Sequence, residues 1–314
     1  MGFDPTTLRR DDYGFFGPGS PSWKIWTSPT ALIGFQRAVV LEHFEPYLAA
    51  AVADSQGIYS CPRARLDNTL AYFLLVAVGD GRTAIRASEH LMQVHAAMTG
   101  IEPISGRRYA ANSPHTQLWI HVTGWHSVLK AYEMFGPGPL SPEEEDRYWA
   151  ECVIAAELQT CKPEDVPRSR AQVRDYFEQM RPRLCSSEHA EAGMHHLLWT
   201  SPGNGAGVGF AVGSRLLSLA SVATLPKWMR TLGRFDRPGL VDLAVELPAK
   251  VAVWLSSRAD GYGLRAAAPY IAPMTGRILE QHVHAGEPVT PATITPARAR
   301  ELYGARAAVV HDAG

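Results

Sequence analysis

The side chains with the most chemical potential in this chain are His95 and His121, the pair Arg65 and Thr69, and Glu45 ahead of a proline. A histidine on an apolar helix face needs a partner for each ring nitrogen, or it costs free energy to bury. The commonest answer is a core histidine bonded to a backbone carbonyl. The chemically active answer is an axial ligand to a metal or haem iron. Arg65 and Thr69 are four residues apart in a helical pattern and share a face. An arginine there can snorkel, pair with a carboxylate such as Asp67 or Glu89, or hold an anionic cofactor group through its fixed donor fork. Glu45 has an ordinary role open to it, that of a solvated helix carboxylate.

These residues need helices to position them, and the chain supplies the signals. The spacing predicts a helix over residues 82–100, with Ile85, Met92, His95 and Met98 or Thr99 on its buried face and Gly100 as its stop. Pro62 opens the apolar helix of Arg65 and Thr69, and Gly79 and Gly81 close it. Ser113-Pro114 starts a helix whose stripe of Leu118, His121, Trp125, Val128 and Tyr132 buries a second histidine, while His126 falls off the stripe and is expected to be exposed. A long pattern from Ala31 to Ser55 should kink or split at Pro46. Ser141-Pro142 with three glutamates, and Ser169, start further helices. Shorter helical patterns follow around 187–199, 206–223 and 238–257. No segment alternates with a strand's period of two, and there is no internal repeat. The expected fold is mainly α: a single multi-helix domain over 23–270, an irregular arm over 1–22, and a peripheral Pro-rich tail over 271–314.

Composition bounds the partners. The 314 residues carry 30 basic and 31 acidic side chains, so no nucleic-acid footprint is expected. The 46% hydrophobic content is that of a globular chain. The run from Ala206 to Leu225 is broken by Arg215 and reads as a buried helix, not a membrane span. The first twenty residues show no secretory pattern, and four cysteines without C-x-x-C spacing suit reduced thiols, so a cytoplasmic location is expected. Gly203, Gly205, Gly207 and Gly209 do not make a nucleotide loop, and neither His195-His196 nor His282 with His284 has zinc-type spacing. Glu89 and Met92 fail the E-x-x-H pattern of a di-iron bundle.

With these residues in order, the sequence resembles the latex clearing protein (rubber oxygenase) and MpaB-type oxygenase family. The resemblance rests on Trp23 to Trp26, Glu45-Pro46, and Arg65-Leu66-Asp67-Asn68-Thr69. It continues with Val94-His95 to Gly100, then Tyr109, Ala111, Pro114, Trp119 and His121, the Pro142 helix with Tyr148-Trp149, and the segment from Pro167 to Phe177. It implies a mainly helical fold with a globin-like core that binds haem b. It implies His95 as proximal iron ligand, Arg65 and Thr69 beside the haem, and His121 as a second buried histidine near the pocket. Two departures bear on mechanism. Asn68 stands where latex clearing proteins carry a lysine able to cap the distal iron position. Glu45-Pro46 replaces the family's His-Pro, which makes Glu45 a candidate distal acid or base. The function implied is a haem-dependent oxygenase that uses O2 or peroxide on an apolar small molecule, as a possible homo-oligomer. A non-catalytic haem-binding or sensing protein, or a metal-free helical ligand-binding module, are the alternatives. The substrate, the electron donor and the distal ligand are not legible.

Overall fold

Short polar side chains punctuate this sequence into helices. Ser20, Glu45, Asp80, Ser141, Ser169, Ser187 and Thr295 each accept a hydrogen bond from the amide three residues on, which satisfies one of the free N–H groups of a helix start. The computed structural model describes residues 10–199, 207–258 and 272–305. Its helices are α1 (Pro21–Trp26), α2 (Ala31–Glu42), α3 (Pro46–Ser55), α4 (Gly57–Ser60), α5 (Pro62–Val78), α6 (Gly81–Ala96), α7 (Pro114–Phe135) and α8 (Pro142–Ala156). Then follow α9 (Arg170–Met180), α10 (Glu188–Leu198), α11 (Gly207–Thr224), α12 (Lys227–Leu232), α13 (Gly239–Arg258), α14 (Pro273–Ile278) and α15 (Pro296–Tyr303). The fold is mainly α, as the helical periodicities imply. The Ala31–Ser55 pattern splits at Pro46, which opens α3.

Three expectations change. The helix of His95 ends at Ala96, and Thr99–Ile101 pairs with Arg108–Ala110 as the antiparallel strands β1 and β2. Gly100 is therefore no helix cap. It faces Tyr109, whose hydroxyl lies 2.6 Å from where a Cβ would stand. Residues 272–305 pack on the helical body. Helix α14 packs on α5 and α15 on α6, with Ile278 and Ala299 fully buried. The carboxylate of Asp67 accepts from the amides of Met274 and Thr275, both at 2.8 Å, so α5 itself caps α14. Finally, His126 is half-buried, its ring against Phe177 and its Nδ1 3.4 Å from the Arg37 guanidinium.

Two contacts hold the elements that matter for the site. Asp12 Oδ1 accepts from the amides of Gly14 and Gly81, both at 2.8 Å, which fixes the N-terminal arm to the start of α6. Helices α2 and α7 meet at Gly34, where a Cβ would lie 2.5 Å from the Val128 Cα and 2.8 Å from the Ser127 carbonyl oxygen. Backbone against backbone cannot yield without moving a helix. Gly34→Ala is therefore expected to cost about 3 kcal/mol. In a domain of this size that is a fall in Tm of roughly 6–10 °C by differential scanning calorimetry. An unchanged Tm would show that α2 and α7 are free to part.

Candidate active site

Helices α2, α5, α6 and α7 surround a cavity of about 510 Å3, closed on another side by α10 and α11. This is the size of a small-molecule or cofactor site. Most of its surface is apolar, and Trp26, Phe35, Tyr72 and Phe73 form an aromatic wall in which Trp26 and Phe73 stack at 5.5 Å. The few polar groups are concentrated on the facing parts of α2, α5 and α6.

His95 lines the cavity from α6. It is half-buried and shares its face with Ala87, Leu91 and Met98, four and three residues apart, while Ile85 turns into the core and Met92 does not line the cavity. Burial, then the nearby Arg65 charge, push its imidazole down to about 4, against an interaction with the Asn112 side chain. The ring is neutral at pH 7, the form that can bind a metal. Its Nδ1 lies 3.3 Å from Gln117 Nε2, an amide nitrogen that also donates to the Ala111 carbonyl at 2.7 Å. Asn112 donates to the Met92 carbonyl at 2.9 Å, yet its Oδ1 is buried with no hydrogen-bond partner among the described residues. A side-chain acceptor is thus fixed beside the histidine.

Arg65 and Thr69 also line the cavity, one turn apart on α5. The Thr69 hydroxyl donates to the Arg65 carbonyl at 2.9 Å, so toward the cavity it can only accept. Asp67, considered above as a partner for Arg65, caps α14 instead. The charge that answers Arg65 is Glu42, at the end of α2. Glu42 lines the same cavity, and burial pushes its carboxyl up to about 8 despite the pull of Arg65. Burial pulls the Arg65 guanidinium the other way, below its usual value. Neither side chain makes an ion pair within 4.0 Å among the described residues, so the donors of Arg65 remain open to an anionic group.

Two sequence candidates lie elsewhere. Glu45 is buried as the cap of α3, its Oε2 accepting from the Leu48 amide at 2.8 Å, and it does not line the cavity. The chain turns between α2 and α3, so the residue at the proline is not the one that faces inward; Glu42 is. His121 is fully buried between α7 and α8, with Nε2 donating to the Cys152 carbonyl at 2.8 Å, and burial pushes it down to about 4. The α7 residues that reach the cavity are Gln117, Ile120 and Gly124, so His121 is not brought together with His95.

His43, His90 and His196 also line the cavity; His196 belongs to the pair set aside above for lack of zinc-type spacing, and His43 and His90 were not among the candidates. His43 donates from Nδ1 to the Val39 carbonyl at 2.6 Å, and its Nε2 is walled in against Gly193, 2.5 Å from where a Cβ would stand. The ring of His196 lies 4.9 Å from that of Tyr59. Periodicity was the signal available: Leu32, Phe35, Val39 and Glu42-His43 recur at three and four residues on α2.

No three His, Cys, Asp or Glu side chains converge on a point among the described residues. A porphyrin iron needs only one such ligand, because the ring supplies four nitrogens. A neutral histidine, an amide acceptor beside it, a half-buried arginine without an ion pair and an apolar cavity form a set of groups that fits haem. Among the described residues, no helix is long and apolar enough to cross a membrane. The family model that matches the chain, over residues 23–258, is described as ER-bound oxygenase mpaB/B'/Rubber oxygenase, catalytic domain. No curated protein and no solved structure matches it.

Proposed function

The chain belongs to the mpaB and rubber oxygenase catalytic-domain family, and from that premise we propose that it is a haem b-dependent oxygenase of an apolar small molecule, with His95 as the protein ligand to iron. The observation that carries the proposal is the convergence of His95, Arg65 and Glu42 on one apolar cavity. When bound, haem would supply redox chemistry toward O2 or peroxide.

The protein's own residues would do the rest. His95 presents a neutral imidazole. In the tautomer with Nδ1 unprotonated, that nitrogen accepts from Gln117. Were one ring nitrogen to hold a metal, the other would carry the proton, and the Asn112 side chain would be an acceptor available beside it. Arg65 pairs with an anionic edge of the cofactor through its fork. Thr69, committed to a backbone carbonyl, offers one acceptor oxygen and packs beside Arg65. Glu42 stays protonated at neutral pH and gives a proton to the reacting region. The aromatic wall binds the apolar substrate and limits water.

The test is isotope incorporation. The reduced protein, supplied with 18O2 and a panel of apolar probes (a long-chain alkene, a polyene, an alkyl aromatic), is expected to label at least one probe, as read by mass spectrometry. Unlabelled probes throughout, with O2 unconsumed, contradict the oxygenase reading. Arg65→Gln is expected to weaken haemin uptake by the apoprotein about tenfold, in keeping with loss of one charge-assisted bidentate pair. Unchanged affinity in a Soret titration would remove Arg65 from cofactor binding.

A further inference from the structure

Helix α13 is apolar on two opposite faces, and among the described residues only one of them is covered. Val245, Ala249 and Val253, at spacings of four, pack with Ile33, Phe135 and Ala220 of α2, α7 and α11. The outward face carries Leu240, Leu243, Leu247, Val251 and Trp254, which are 79, 65, 67, 47 and 51% exposed, and Val241 and Leu255 are exposed to its sides at 39 and 55%. A helix that is apolar all round belongs in an interior. Beside it, α11 adds Val208, Val212 and Leu216, all more than half exposed. Together these residues expose on the order of 1,000 Å2, beyond the ~300–600 Å2 of the largest patch on a typical monomer. It matches the ~800 Å2 per partner of a stable interface.

The spacing of the stripe names the occupant. Counted from Leu247, the five central members stand four and seven residues to either side, so that part of the pattern reads the same in both directions, while Val241 and Leu255 lie outside it. Two copies of α13 laid antiparallel across a two-fold axis at Leu247 would set Leu247 on its own counterpart. Leu243 of one copy would face Val251 of the other, and Leu240 would face Trp254. This is the self-complementarity that an isologous interface demands. The charges agree with it. Glu246 and Lys250 pair with each other at 2.6 Å on the edge of the stripe. In the antiparallel pair each lies within reach of its opposite in the other copy, so the polar rim is attractive too. We propose that the α11–α13 face is the interface of a two-fold homodimer, with α13 against α13. The inference is independent of any cofactor in the cavity.

Sedimentation velocity on the full chain at ~10 µM is expected to give twice the 34.3 kDa chain mass. Leu247→Asp sets two carboxylates on the axis and should raise the dimer dissociation constant at least 100-fold, with the far-ultraviolet circular dichroism unchanged. Glu246→Lys should weaken the dimer, and adding Lys250→Glu should restore it. Geometry is tested by crosslinking in a Cys61→Ser background, since Cys61 is exposed. There Leu247→Cys should form a disulfide-linked dimer on oxidation. Leu240→Cys should not, because its two copies would lie ~21 Å apart along the helix axis. A wild-type monomer overturns the proposal. If that monomer floats with phosphatidylcholine vesicles, the face serves a lipid surface instead. A dimer that survives Leu247→Asp, or one in which Leu240→Cys crosslinks and Leu247→Cys does not, overturns it as well.

Discussion

His95→Ala is expected to lower bound haem from near one per chain to below a tenth, with the circular dichroism and Tm of the apoprotein almost unchanged. The asymmetry follows from position. His95 is half-buried on a cavity wall and its contacts are a long one to Gln117 and one with the Asn112 side chain, so little of the fold depends on it. Its imidazole is the ligand that the cavity offers most freely. His43 is fixed at Nδ1 and walled in at Nε2, His196 lies against the Tyr59 ring, and His90, the other lining histidine, has a partner of its own. The cavity left by the truncation should admit free imidazole, and millimolar imidazole should restore the Soret band. An unchanged haem content would transfer the ligand role to another residue, and the His196→Ala spectrum would then show whether it is that one.

The second large effect is expected at Glu42. Glu42→Gln should lower kcat by 10²–10³-fold, within the range typical for loss of a general acid. Haem content and substrate KM should change little. The wild-type rate should fall as pH rises through about 8, where the carboxyl loses its proton, and the variant should lack that limb. Stability carries the same signature with a sign that can be worked out. Between the ordinary carboxyl range and about 8, the folded protein holds a proton that the unfolded chain has lost. Stability therefore falls as pH rises across that window and levels off above it. Urea midpoints for Glu42→Gln should be flatter across the same window. A variant with full turnover, or a pH profile that keeps the limb at 8, would remove Glu42 from the reaction.

Much of this architecture is legible in the sequence because its helix ends are written locally. Ser113-Pro114, Ser141-Pro142 and the Pro46 break each act within a few residues. What escapes is set by long-range contacts. The β1–β2 pair is three residues on each side, too short to show alternation, and depends on Gly100 making room for Tyr109. The cap of α14 is Asp67, on a helix some two hundred residues earlier. Helical spacing places Arg65, Thr69 and His95 on inward faces, and all three line the cavity. Glu45 misled because a proline marks a turn without saying which neighbour faces inward. His121 misled because burial and cavity lining look alike in periodicity: a stripe identifies a core face, and only packing decides whether that face meets another helix or an open space.

The measurement that bears most directly on the central claim is the absorption spectrum of the purified full chain, oxidised and reduced, with a pyridine haemochrome assay. A Soret band with close to one haem b per chain, lost in His95→Ala, is the predicted result. A colourless protein that also takes up no added haemin would contradict it, and would leave the cavity between α2, α5, α6 and α7 to some other ligand.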